Sequence, residues 1–320
     1  LIDIRLAVKC EGGLRQAATL LSVSKRCGAL PAKLHRLRDA VGQFSRHRRA
    51  ELPEEAVRRA DAAVLGHLRR PHVVAPVVAL LQAPGDLLRL VLEVDVGLGD
   101  QPGRDDENHD ARVGLLPRNG KGSDITWCRV DPNYVFHPAN AYETPDGQVI
   151  VDVVAHDSMF ARSTLGPDSK RSRFERWAID SATQSVARRV LHDHNQEFPR
   201  IDERRTGQAY QFAYSIALPS QDHVELTIAA TEIYKHDVKN ETTEVRDFGP
   251  NRHPGEFVFV PRNDSGAEDH GWLIGLVVDM SNESTTLEIL NADDFTGPAQ
   301  AAINIGHRIP PGFHGNWVPN

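Results

Sequence analysis

From residue 127 to the C-terminus the chain is a succession of apolar or alternating stretches of four to seven residues, separated by polar turns. Val149 to Val154 follows the turn Pro145-Asp146-Gly147, and Arg176 to Asp180 and Ser185 to Leu191 come next. Tyr210 to Leu218, His223 to Thr231 and Thr231 to His236 alternate with period two, and Asp237 to Asn240 reads as a turn. Glu256 to Val260, Trp272 to Asp279 and Thr286 to Leu290 complete the set. Only one short stretch in this region has helical character. The spacing predicts an all-β sandwich, barrel or propeller, and no strict short repeat chooses among them.

The first third of the chain is different. Phe44 is its sole Phe, Tyr or Trp up to residue 126, whereas residues 127–320 hold nineteen. Residues 1–126 carry a net charge of +4 and the remainder −11. Aromatic side chains supply much of a core's buried area, so this segment would have to build one from Leu, Val and Ala. Leu14 to Ser24 is a short helical candidate, and Ala32 to Arg49 is basic. Pro53-Glu54-Glu55 opens a helix that runs to Arg70. Val73 to Val96 reads as short strands or helical pieces, and Gly97 to Asp110 as an acidic link. The basic stretch Lys25 to Arg70 lacks interleaved aromatics, so it predicts a solvated face and no nucleic-acid partner. No apolar run reaches the roughly 18 residues of a membrane span. Leu1 to Cys10 contains Asp3 and Arg5 and no cleavage pattern, so no signal peptide is expected. Cys10, Cys27 and Cys128 form no CxxC pair, which fits a reducing cytoplasm.

Two apolar, proline-stiffened stretches each hold a histidine. One is Tyr134-Val135-Phe136-His137-Pro138-Ala139-Asn140-Ala141-Tyr142-Glu143, and the other is Arg308 to Pro319, with Phe313-His314-Gly315. Both read as rigid turns that point an imidazole into the fold. Two glutamates have similar settings, Glu197 in Gln196-Glu197-Phe198-Pro199-Arg200-Ile201-Asp202 and Glu256 in His253-Pro254-Gly255-Glu256-Phe257-Val258-Phe259-Val260-Pro261-Arg262. A buried carboxylate needs a partner. An arginine, Arg200 or Arg262, is one choice. The ring N–H of a metal-bound histidine is the other.

Six blocks in register resemble one family. They are Phe136 to Glu143, Glu197 to Asp202, Gly255 to Arg262, Glu268-Asp269-His270-Gly271-Trp272-Leu273, Asn291-Ala292-Asp293-Asp294-Phe295 and Gly312 to Gly315. Together they are similar to the C-terminal part of carotenoid cleavage oxygenases, including bacterial lignostilbene-type dioxygenases, from about Ala111 to the end. The resemblance implies a seven-bladed β-propeller with a non-haem Fe(II) held by four histidines. His137 and His314 match two of these metal ligands, and Glu197 and Glu256 match two glutamates that orient ligand rings. The implied reaction is cleavage of a conjugated C=C bond of a carotenoid, apocarotenoid or stilbene-like substrate by O2, giving two carbonyl products. Its implied partners are that apolar substrate and O2, with peripheral membrane contact as a route for substrate uptake.

Residues 1–110 fall outside the resemblance, and His35, His47, His67, His72 and His109 match neither upstream ligand motif. At about 40–50 residues per blade, residues 111–320 hold a partial propeller. The first 110 residues then read as a replacement domain, a truncation remnant fused to unrelated sequence, or a reading-frame artefact. The rival to an active enzyme is a truncated, inactive propeller fragment that binds an apolar ligand or a protein. His156, His192, His194, His223, His236, His253, His270 and His307 are expected on turns or strand faces, and Trp177, Trp272 and Trp317 in packing roles.

Overall fold

A computed structural model describes residues 76–77, 89–93, 97–98 and 102–104, and residues 111–318 except 118, 159–170, 220–229, 264–265 and 311. The helices expected within Leu14–Arg70 and most of the His223–Thr231 strand lie outside the described residues. So do the five upstream histidines.

The described chain is built of β-strands in four four-stranded antiparallel sheets. The first comprises β1 (Pro76–Val77), β2 (Arg89–Glu93), β5 (Ala111–Leu116) and β6 (Thr126–Val130), with the small hairpin β3 (Gly97–Leu98) and β4 (Pro102–Arg104) between β2 and β5. The second is the meander β7 (Tyr134–Glu143), β8 (Val149–His156), β9 (Ser172–Asp180) and β10 (Ser185–His192). The third is β11 (Gln196–Ile201), β12 (Phe212–Ala217), β13 (Glu232–Asp237) and β14 (Thr242–Asp247). The fourth is β15 (Arg252–Pro261), β16 (Gly271–Asp279), β17 (Ser284–Asn291) and β18 (Ala301–Asn304). Four consecutive up-and-down sheets of four strands are successive propeller blades. The first blade draws strands from both sides of residue 110, since β2 pairs with β5 from Arg89 to Glu93.

One expectation is corrected. Tyr134 to Glu143 is not a turn but a ten-residue strand. It pairs on one side only, with β8, and it tolerates Pro138 because such a strand is an edge of its sheet.

Why the sheets stack can be read from their faces. All eight residues of β8 are buried. A strand covered on both sides reads as a continuous apolar run rather than an alternation. Val151 and Val153 meet Val113, Leu115 and Cys128 of the first sheet, while Val154 joins Phe174, Ile201 and Ala213 against the third. Ile216 and Ile233 of the third sheet pack on Phe257, Phe259, Leu273 and Leu290 of the fourth. The last strands, β10, β14 and β18, contain no buried residue, and β14 is mostly polar. Trp177 is buried in the core.

Three hairpins share one turn chemistry. β9, β13 and β16 end in Asp180, Asp237 and Asp279, whose carboxylates accept backbone N–H bonds from the loop (Ala182 and Thr183, Lys239 and Asn240, Ser281). Each four-residue loop closes on a left-handed residue, Gln184, Glu241 or Glu283. Polar ties also cross between sheets. The Tyr210 hydroxyl donates to Asp152 at 2.5 Å, and Asp152 also takes a two-pronged bond from Arg176. The buried Lys235 ammonium donates to Asp269 and to the Ala292 carbonyl.

At the second–third sheet boundary His236 is buried. Its Nε2 lies 2.8 Å from Gln196 Oε1, and its Nδ1 lies 2.9 Å from Thr243 Oγ1. Burial, then the nearby His192, holds its pKa well below the ordinary histidine value. Burial and His194 likewise take His192 down to about 4, against a smaller opposing pull from Asp193. Both are depressed in the folded state. Stability is therefore full above the unfolded pKa of about 6.5 and is lost as pH falls below it, because the unfolded chain takes up protons that the folded one refuses. Urea midpoints should fall between pH 7 and pH 5. His236→Gln should flatten the slope by up to about 1.4 kcal/mol per pH unit. An unchanged slope would contradict this account.

Candidate metal centre

The strands that open the second, third and fourth sheets, β7, β11 and β15, lie next to one another, with β11 touching both of its neighbours. Each is interrupted by a bulge at the residue of interest. Register breaks between Val135 and Pro138 in β7, between Glu197 and Arg200 in β11, and between Pro254 and Phe257 in β15. A bulge re-aims the side chain it carries. Here the three bulges turn His137, Glu197 and Glu256 toward one region. His314 arrives from the segment after β18.

All four residues expected from the sequence meet there. His137 Nδ1 lies 2.7 Å from Glu197 Oε2, and His314 Nδ1 lies 3.2 Å from Glu256 Oε1. The two rings face each other with their Nε2 atoms 3.1 Å apart. Backbone N–H groups complete the carboxylates, Phe198 donating to Glu197 Oε2 at 2.7 Å and Gly315 to Glu256 Oε2 at 2.8 Å. Phe198 takes a left-handed backbone, φ 53°, which is costly for an aromatic residue. That conformation sets its ring edge-on to both imidazoles, at 5.2 and 5.1 Å between centroids.

The two glutamates are held differently. Glu256 also has Arg200 at 3.5 Å. The ion-pair partners of the 4 % exposed Glu197 are both histidines, His137 and His156. Burial pulls the Glu197 carboxyl upward, but the hydrogen bonds from the two imidazoles outweigh it and hold the pKa at about 2. His156, expected on a turn or strand face with no part in the site, does end a strand, β8, but is 1 % exposed and bonded to Glu197. A histidine that closes an apolar run such as Val149–Ala155 must be buried and needs a partner. That was the available signal.

A proton count shows what the pair of rings can hold. A carboxylate accepts, so each Nδ1 donates and carries the hydrogen. In neutral rings both Nε2 atoms then present lone pairs to each other at 3.1 Å. Only a cation between them, a proton or a metal ion, makes that contact favourable. At histidine–metal distances of about 2.0–2.1 Å, two donors at right angles on one ion would stand about 3 Å apart. The donor set therefore fits a metal, with two ligands. Among the described residues no group of three or more His, Cys, Asp or Glu side chains could hold one.

Comparison with known proteins decides the family. The family model described as RPE65, retinal pigment epithelial membrane protein, matches residues 74–319. The chain belongs to this family. A carotenoid cleavage oxygenase of Mycobacterium tuberculosis is 34% identical over 262 residues, covering 80% of this chain and 49% of that protein. An apocarotenoid-15,15'-oxygenase of Synechocystis is 32% identical over 216 residues, covering 65% of this chain and 43% of its own. The crystal structure of cobalt-substituted Synechocystis apocarotenoid oxygenase superposes with a TM-score of 0.64 at 28% identity, over 73% of this chain and 51% of that one. The fold is thus the carotenoid oxygenase propeller in part. The chain spans about half the length of the curated relatives it matches. No helix among the described residues is long and apolar enough to cross a membrane.

The fourth sheet of this family member also shows how β15 is seated. Phe257, beside Glu256, lies across from Gly275 of β16, and a Cβ on Gly275 would come 2.5 Å from the Phe257 ring. Gly275→Ala should cost about 1–3 kcal/mol in denaturant unfolding by overpacking. Gly255→Ala, whose Cβ would meet nothing nearer than the Leu276 carbonyl oxygen at 3.6 Å, should cost far less. Equal costs would mean that the Phe257–Gly275 contact does not seat the strand.

Proposed function

We propose that this chain acts in oxidative cleavage of a conjugated C=C bond in a carotenoid, apocarotenoid or stilbene-like substrate. The centre would be a non-haem Fe(II) held in part by His137 and His314. The reading is carried by the paired Nε2 lone pairs, 3.1 Å apart, each fixed from behind by a carboxylate on Nδ1. Neutral imidazole suits Fe(II), and the bound iron would supply the activation of O2. The reaction balances without a reductant, because the C=C bond is broken and each carbon receives one oxygen atom of O2.

The chain's own residues would do the rest. Glu197 and Glu256 hold the Nδ1–H tautomers and keep both Nε2 atoms free to ligate. Phe198 bars sideways rotation of the rings. It also borders an apolar cavity of about 310 Å³, shared with Pro254, Gly255, Leu276, Val278 and Ile309. That size lies at the lower end for a small-molecule site, and its largely apolar lining, with His253, Thr285 and Arg308 as polar members, suits hydrocarbon.

The test is anaerobic Fe(II) loading with metal analysis, followed by O2 uptake with an apocarotenoid and with a hydroxystilbene. His137→Ala and His314→Ala are measured alongside. About one iron per chain, lost in both variants, together with O2-dependent formation of two carbonyl products, is expected. Iron retained in both variants would overturn the ligand assignment. Iron bound at these residues without carbonyl products would favour a ligand-binding propeller over an enzyme.

A further inference from the structure

We infer that His156 is a positioning residue for the metal centre, locking the Glu197 carboxylate and, through it, the ring of His137. This rests on the proposed role of His137 as a metal ligand.

The carboxylate has three donors and uses both oxygens. Oε2 takes the His137 Nδ1–H and the Phe198 backbone N–H, and Oε1 takes His156 Nε2–H at 2.7 Å. Glu197 is buried and has no lysine or arginine among its ion-pair partners within the described residues. Without His156, Oε1 would be a buried anionic oxygen with no donor, a costly arrangement. The carboxylate would then rotate to share the hydrogens now held by Oε2. His137 would lose the fixed acceptor that keeps its hydrogen on Nδ1 and its Nε2 lone pair toward His314.

His156 is itself well placed to act as a fixed donor. It sits on β8 directly across from Tyr134 of β7, three residues before His137. The Phe136 ring stands edge-on to it at 5.6 Å. Its Nδ1 is buried and meets no hydrogen-bonding partner among the described residues. The bond to Glu197 therefore decides which nitrogen carries the hydrogen, namely Nε2. The two histidines thus approach one carboxylate through opposite nitrogens, His137 by Nδ1 and His156 by Nε2. Only the first is left with its other nitrogen facing a second lone pair, that of His314 Nε2.

The probe is Co(II), titrated into the full chain and followed by its visible absorption and by metal analysis after desalting. His156→Leu removes the donor at similar bulk, and His156→Gln can return an amide N–H to the same oxygen. Loss of an outer hydrogen-bonding partner typically costs 10–100-fold in metal affinity. His156→Leu should weaken Co(II) binding by that factor and shift the absorption, and His156→Gln should recover most of both. His137→Ala serves as the reference. If it leaves Co(II) binding intact, the metal-site reading itself fails. If it abolishes binding while His156→Leu binds like the parent chain, the site stands and the positioning role is overturned. Should the leucine variant not fold, ring-nitrogen NMR of the parent chain decides. Hydrogen on His156 Nε2 and His137 Nδ1 supports the inference, and hydrogen on His137 Nε2 in the metal-free protein refutes it.

Discussion

Everything at the candidate centre depends on one contact made twice, an imidazole Nδ1–H against a buried carboxylate. A free histidine ring can turn over and can carry its hydrogen on either nitrogen. Glu197 and Glu256 remove both freedoms, so two lone pairs end up facing each other across 3.1 Å. That contact is unfavourable unless a cation lies between the rings, and it has to be imposed by the scaffold. Fixed carboxylates, themselves tied down by Phe198 and Gly315 backbone N–H groups, impose it.

The scaffold's contribution is the set of bulged strands. β7, β11 and β15 each open a sheet and pair on one side only, so each can give up ladder bonds at a bulge without breaking a second neighbour. The next strands compensate. β8 is buried along its whole length, and Leu273 in β16 is fully buried. All three strands that carry the centre are thus irregular, and the buried, regularly paired β8 and β16 stand behind β7 and β15. The left-handed Phe198 fits this division. Its strain, on the order of 1–3 kcal/mol, sits where the ring flanks both imidazoles edge-on.

Much of this was legible in the sequence, for reasons that can be named. Turn residues and short apolar or alternating runs marked most strands of the last three sheets, with a near-continuous apolar run where a strand is covered on both sides, as in β8. His137, His314, Glu197 and Glu256 stood out because each lies in an apolar setting of Phe with Pro or Gly, and the six blocks in register that resemble one family assigned them their roles. The same prolines misled at Tyr134 to Glu143, which reads as a turn and folds as an edge strand. β14, Thr242–Asp247, escaped notice because an exposed outer strand has no apolar face to show. His156 escaped because its partner is remote in sequence. Nothing local says that a histidine at the end of β8 will reach a glutamate 41 residues away.

The measurement that bears most directly on the arrangement is anomalous diffraction at the iron edge from crystals of the full chain loaded with Fe(II) under anaerobic conditions. A single peak bonded to His137 Nε2 and His314 Nε2 is expected, with both Nδ1 atoms still on their glutamates. A peak at any other residues, or rings turned so that Nδ1 meets the metal, would contradict it.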